Sequence, residues 1–146
     1  MILAVLQRRC HFALHDRDIY AATVGGVRLV EPAADLALAL ATAGGFSDRA
    51  LPAELVVIGE VGLAGEVRRV AGVTPRLQEA ARLGFTEAVI PAPSRNPHDQ
   101  LMTVHAGMLV HAVATVQLAL GAVGLMPPER HLRDIGLNEE EQEWTA

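Results

Sequence analysis

A chain of 146 residues is long enough for one domain with a proper core, and its 20% charged and 51% hydrophobic shares describe a soluble globular protein. All twelve basic residues are Arg, so the chain can host no Schiff base, no Ser-Lys dyad and no P-loop lysine, and its serines are Ser47 and Ser94 alone. The formal net charge is −5, which argues against a strong general attraction for nucleic acid, whose binding draws on neutralised phosphates.

Residues 1–9 (MILAVLQRR) place Ile2, Leu3 and Leu6 at helical spacing and predict a short amphipathic helix. They lack a charged leader and a small-residue cleavage site, so no secretory signal is expected. Asp18 to Val24 alternates as a strand does, Gly25-Gly26 marks a turn, and Val27 to Val30 resumes extended structure. Pro32 suits the first turn of a helix predicted over Ala33 to Ala43 and ended by Gly44-Gly45. Leu55 to Gly59 reads as a buried strand, and Gly62 to Gly65 as a hairpin turn returning through Glu66 to Val70. Thr74 is the expected N-cap of the next helix, with Pro75 at its first position and Gly84 as its stop.

Glu87 to Ile90 is a further strand, residues 92–106 read as a loop, Met108 to Val113 as a strand and Val116 to Val123 as a helix. The apolar stretch from Met108 to Met126 is interrupted by His111, Thr115, Gln117, Gly121 and Gly124, so it is not a membrane span. Residues 127–146 hold six acids against Arg130 and Arg133, a net of −4, and predict a mobile tail or a loosely docked helix. The other 126 residues carry eleven acids and ten arginines. Interleaved strands and helices with hairpins predict an α+β fold with a mixed sheet and packed helices.

Several residue groups invite chemistry. Cys10, His11 and His15 lie close in sequence, but no second ligand pair stands at metal spacing, and one cysteine allows no internal disulfide. His105 and His111 are read as surface or edge positions. Glu31 and Asp35 form either an acid–base pair on one helical face or, as the preferred reading, a helix N-terminal charge at Glu31 and a structural hydrogen bond or interface contact at Asp35. Arg68 and Arg69, with Arg76 and Arg82 on the next helix, are the best phosphate-facing candidates. Interface salt bridges are nevertheless the preferred reading for them. A six-residue separation turns Arg76 and Arg82 about 120° apart on a helix, so both cannot be central to one patch.

Three segments in register resemble the C-terminal domain of the bacterial RadA/Sms family, which is built like the proteolytic domain of Lon. They are Val24-Gly25-Gly26-Val27-Arg28-Leu29-Val30-Glu31-Pro32-Ala33-Ala34-Asp35-Leu36-Ala37, then Gly59-Glu60-Val61-Gly62-Leu63-Ala64-Gly65-Glu66-Val67-Arg68, then Arg76-Leu77-Gln78-Glu79-Ala80-Ala81-Arg82-Leu83-Gly84-Phe85 followed by Ala88-Val89-Ile90-Pro91. The resemblance covers roughly residues 1–125 and divides the chain into a Lon-like domain, 1–126, and an acidic tail, 127–146. It places Ala33 at the nucleophile position of Lon-type peptidases and Thr74 at the position of their general-base Lys. A methyl group cannot attack a carbonyl, and Thr cannot replace a desolvated amine.

The resemblance therefore implies a pseudo-peptidase domain of an ATP-dependent DNA recombination and repair protein. In that role it would be a hexamerisation scaffold with an auxiliary DNA contact through Arg68, Arg69 or Arg76. It further implies a cytoplasmic homo-hexamer acting on branched or single-stranded DNA, with no membrane partner. No cofactor is expected in this fragment; ATP, Mg and Zn belong to N-terminal parts that it lacks. Thr86 and Glu87 depart from the family by standing where basic residues are common. A Lon-like serine-type hydrolase with an altered active site, working through Asp35 or Thr74, is the competing implication, and a nucleic-acid-binding module in its own right is the third.

Overall fold

The computed structural model describes residues 1–93, 96, 98 and 100–126. Helix α1 spans Ile2–Cys10, α2 Asp35–Phe46, α3 Val73–Arg82 and α4 Val116–Ala122. The strands are β1 Leu55–Val57, β2 Glu60–Val61, β3 Val67–Arg68, β4 Glu87–Pro91, β5 Gln100–His105 and β6 Met108–Val113. The fold is α+β with a mixed sheet, as the sequence predicts. The main sheet runs β1-β4-β6-β5, parallel between its first three strands and antiparallel at β5, while β2 and β3 form a separate antiparallel ribbon.

Alternation along the strands divides the apolar residues between two faces. Val57, Val89 and Val113 meet Leu6, Leu36, Leu40 and Leu120 from α1, α2 and α4 in the larger core. Ile58, Ala88, Met108 and Val110 meet Leu77 and Ala80 of α3 in the smaller one. The scarcity of aromatic residues makes both cores aliphatic. Phe12 and Phe46 add an edge-to-face pair to the larger core, with ring centroids 5.6 Å apart, and Phe85 packs against the smaller one.

That pair explains one departure from the sequence reading. Helix α2 does not end at Gly44-Gly45 but runs to Phe46. A mid-helix Gly costs about 1 kcal/mol relative to Ala, and packing of the Phe46 ring against Phe12 offsets that cost.

Three further expectations are corrected. Asp18 to Val24 and Val27 to Val30 form no ladder; a single 3-10 turn, Val24–Gly26, interrupts the segment. Ile19 packs against the larger core, but Tyr20 is 92% and Val24 96% exposed. Residues 92–106 are not all loop, because Gln100–His105 pairs with β6 across Ala106-Gly107. Both turn residues have positive φ, 50° and 79°, as the tightest hairpin turns require. Finally, Gly72 and not Thr74 is the N-cap of α3, which puts Thr74 and Pro75 inside its first turn. The expected tail, 127–146, lies outside the described residues.

Among the described residues no helix is long and apolar enough to cross a membrane.

Candidate functional site

Pro32, with φ preset for a helical turn, opens the 3-10 turn Pro32–Ala34 that leads into α2. This turn is held against the end of β1: the Gly59 N–H donates to the Ala33 carbonyl at 2.8 Å, and the Leu36 N–H donates to the Gly59 carbonyl at 3.0 Å. The approach demands glycine at 59, since a Cβ there would stand 2.9 Å from Val67 Cγ1 and 3.2 Å from Leu36 Cδ2. Ala33 is consequently 6% exposed, its methyl in the smaller core with Ile58 and Leu77. Thr74 sits exposed on the first turn of α3.

The ion pair of Arg76 with Glu31 joins the two stretches: one guanidinium nitrogen donates to Glu31 Oε2 at 3.2 Å and the other to Oε1. Glu31 therefore serves α3 through its side chain and makes no side-chain cap on the turn it precedes. Asp35 accepts a hydrogen bond from the Val61 N–H at 3.4 Å, the structural role preferred from sequence.

The remaining sequence-predicted arginines do not converge with Arg76. Arg68 lies on the ribbon, its Nε 2.9 Å and one terminal nitrogen 2.6 Å from Glu66 Oε1, with Glu60 Oε1 at 3.4 Å from the other. Burial alone would push the Glu66 carboxyl up, but the Arg68 hydrogen bond, its own backbone and the Ala64 N–H outweigh it, so the pKa lies below the usual range. The same hydrogen bond raises the pKa of Arg68. Arg82 pairs with Glu79 one turn back on α3, and this hydrogen bond lowers the carboxyl's pKa. Arg69 stands exposed just beyond β3 with no ion-pair partner among the described residues.

The DNA repair protein RadA of Mycolicibacterium smegmatis is 50% identical over 117 residues, which is 80% of this chain and 25% of that protein. RadA of Mycobacterium tuberculosis is 49% identical over 120 residues, 82% of this chain and 24% of the relative. RadA of Salmonella typhimurium is 44% identical over 123 residues, 82% and 25% respectively. The chain is homologous to a segment of RadA. It spans about a quarter of the length of the curated relatives it matches. The family described as subunit ChlI of Mg-chelatase also matches, over residues 25–94, a stretch that contains Ala33, Asp35, Gly59 and Thr74. Similarity to RadA thus extends across Ala33, Thr74 and the ion pair between their elements.

Two groups look different in three dimensions than in sequence. His111 is neither at the surface nor at the sheet edge: it is 8% exposed on the inner strand β6, with Nε2 2.9 Å from Glu87 Oε1 on β4. Register explains the meeting, because Val89 lies opposite His111 and Glu87 lies two residues away on the same face. Glu87, expected from the resemblance to stand at a position where basic residues are common, is the partner of His111.

Cys10 is buried in the larger core, where desolvation pushes its thiol up to about 11. His15 turns away to Asp16 at 3.0 Å. Among the described residues no group of three His, Cys, Asp or Glu could hold a metal ion.

Proposed function

We propose that the chain is the non-catalytic C-terminal domain of a RadA-type ATP-dependent DNA recombination and repair protein. In this reading it acts as a hexamerisation scaffold and lends an auxiliary DNA contact. One observation carries the proposal: a fold homologous to RadA keeps both stretches of a Lon-type dyad side by side, yet holds a core methyl at Ala33 and an exposed hydroxyl at Thr74. What persists when the reacting groups are gone is the framework.

Assembly gains support from the apolar surface that the chain leaves uncovered. Edge strand β5 exposes Leu101, Met102 and Val104, and the segment before α2 exposes Tyr20, Leu29 and Val30. A ring uses two different faces of each copy, and the interface closes only by rotation. Large exposed apolar patches mark such contacts. The parent protein acts in the cytoplasm on branched or single-stranded DNA, with ATP, Mg and Zn bound in parts outside this chain.

Size-exclusion chromatography with light scattering over a range of concentrations tests the scaffold. A monomer–oligomer equilibrium, with a ring of six at the highest concentrations, is the expected outcome. A strict monomer throughout would remove the scaffold role for this domain alone.

A further inference from the structure

The distribution of unpaired cations decides where this acidic chain can hold phosphate. Among the described residues Arg68, Arg76 and Arg82 are each neutralised by Glu, Arg17 lies over the Phe46 ring, and Arg49 donates to the Gly124 carbonyl. Arg8, Arg9, Arg28 and Arg69 have no carboxylate partner there. Of these four, Arg8 and Arg9 line a common cleft of about 390 Å³.

The cleft is built by three elements. Helix α1 supplies Arg8 and Arg9 on its last turn and ends at His11, whose left-handed φ of 58° lets the Phe12 N–H close on the Leu6 carbonyl at 3.1 Å. The ribbon turn supplies Gly65, at φ +87°, on which the Arg9 stem lies; a Cβ there would stand 3.3 Å from Arg9 Cβ. The start of α4 supplies Thr115 and Gln117 and is tied to the turn by the Val116 N–H bond to the Gly65 carbonyl at 2.9 Å.

Its lining holds no carboxylate. The nearest acid of the turn, Glu66, is engaged by Arg68 and by the Ala64 N–H. Thr115 Oγ1 accepts from the Leu118 N–H at 3.2 Å, which leaves its own proton to donate. Cations on a last turn also complement the helix dipole. That accounts for two arginines but not for the acid-free, donor-bearing wall opposite them.

We propose that this cleft is a phosphate subsite that takes backbone phosphates of DNA, with Arg8 and Arg9 as charged donors and His11, Thr115 and Gln117 as polar neighbours. The inference rests on the auxiliary DNA contact proposed above and moves its centre from Arg68 and Arg76 to α1. It does not depend on assembly.

The test is fluorescence anisotropy of a labelled single-stranded oligonucleotide across a salt series, with the full chain and two double variants. Arg8→Ala with Arg9→Ala should weaken binding and lower the slope of log affinity against log salt by up to about 1.4. Arg68→Ala with Arg69→Ala should lower it by no more than half as much, because Arg68 is already neutralised. Arg8→Lys with Arg9→Lys should retain most of the binding, and circular dichroism should show every variant folded.

Calorimetry with inorganic phosphate separates the two sources of phosphate. Saturable phosphate binding that disappears in the Arg8/Arg9 alanine variant, without DNA binding by the unaltered chain, would overturn the DNA assignment. So would a salt slope unmoved by that variant. The light-scattering result would be untouched by either outcome, so the scaffold reading stands or falls separately.

Discussion

The Arg76 guanidinium grips both carboxylate oxygens of Glu31, 45 positions earlier in the chain. It thereby ties the helix that bears Thr74 to the stretch that bears Ala33. Both partners are more than a third exposed, so water and salt screen much of the attraction. Replacing Arg76 by Ala should cost no more than about 1 kcal/mol, measured by urea denaturation at low salt, with a smaller loss at high salt. A loss several times larger would show that the pair, and not core packing alone, holds the two elements together.

The buried methyl of Ala33 yields a second expectation. Ala33→Ser would place a hydroxyl among Ile58, Leu77 and Met108, and a buried hydroxyl without a partner costs about 1–3 kcal/mol. The variant should unfold at lower denaturant concentration with an unchanged m-value and should hydrolyse neither casein nor a fluorogenic peptide. The unaltered chain should likewise resist labelling by an active-site-directed serine reagent. Turnover abolished by changing Thr74 or Asp35 would end the pseudo-peptidase reading.

Cys10 gives the chain a pH dependence whose sign follows from burial. Desolvation lifts the thiol from 9.0 to about 11 in the folded state, so the fold prefers the neutral form. Its contribution is complete below pH 9 and is lost as pH rises toward 11, amounting to at most about 3 kcal/mol. No Lys titrates in the same window. Thermal melts between pH 8 and 11 should show a falling Tm, flattened by Cys10→Ser, and a thiol reagent should modify the native protein slowly.

The edge strand tests the proposed ring. Val104, 71% exposed on β5, contributes little to either core, so Val104→Lys should leave the melting temperature nearly unchanged. It should nevertheless shift light scattering toward monomer, since a charge on a sheet edge discourages pairing with another copy. Removing residues 127–146, which carry a net of −4, should leave assembly unchanged or slightly tighter at low salt. Assembly indifferent to Val104→Lys would place the interface elsewhere.

Much of this protein is settled by local sequence. The 3.6-residue rhythm of Ile2, Leu3 and Leu6 specifies α1, Gly84 stops α3, and the apolar runs at 55–57 and 108–113 become strands, the first at an edge of the main sheet and the second inside it. The expectation that Ala33 and Thr74 replace a peptidase dyad also comes from residue types alone, before any fold is known. The tertiary structure alone decides what depends on distant partners. Gln100–His105 becomes a strand because β6 offers it a free edge, whereas Asp18 to Val24, with better alternation, stays unpaired because no edge reaches it. Helix α2 outlasts two glycines because Phe46 finds Phe12. Arg68 and Arg76 look alike in sequence to Arg8 and Arg9, yet only the fold brings Glu66 and Glu31 to the first two and leaves the others unpaired among the described residues. Charge is a property of residues, but neutralisation depends on which carboxylate the packed backbone places within reach.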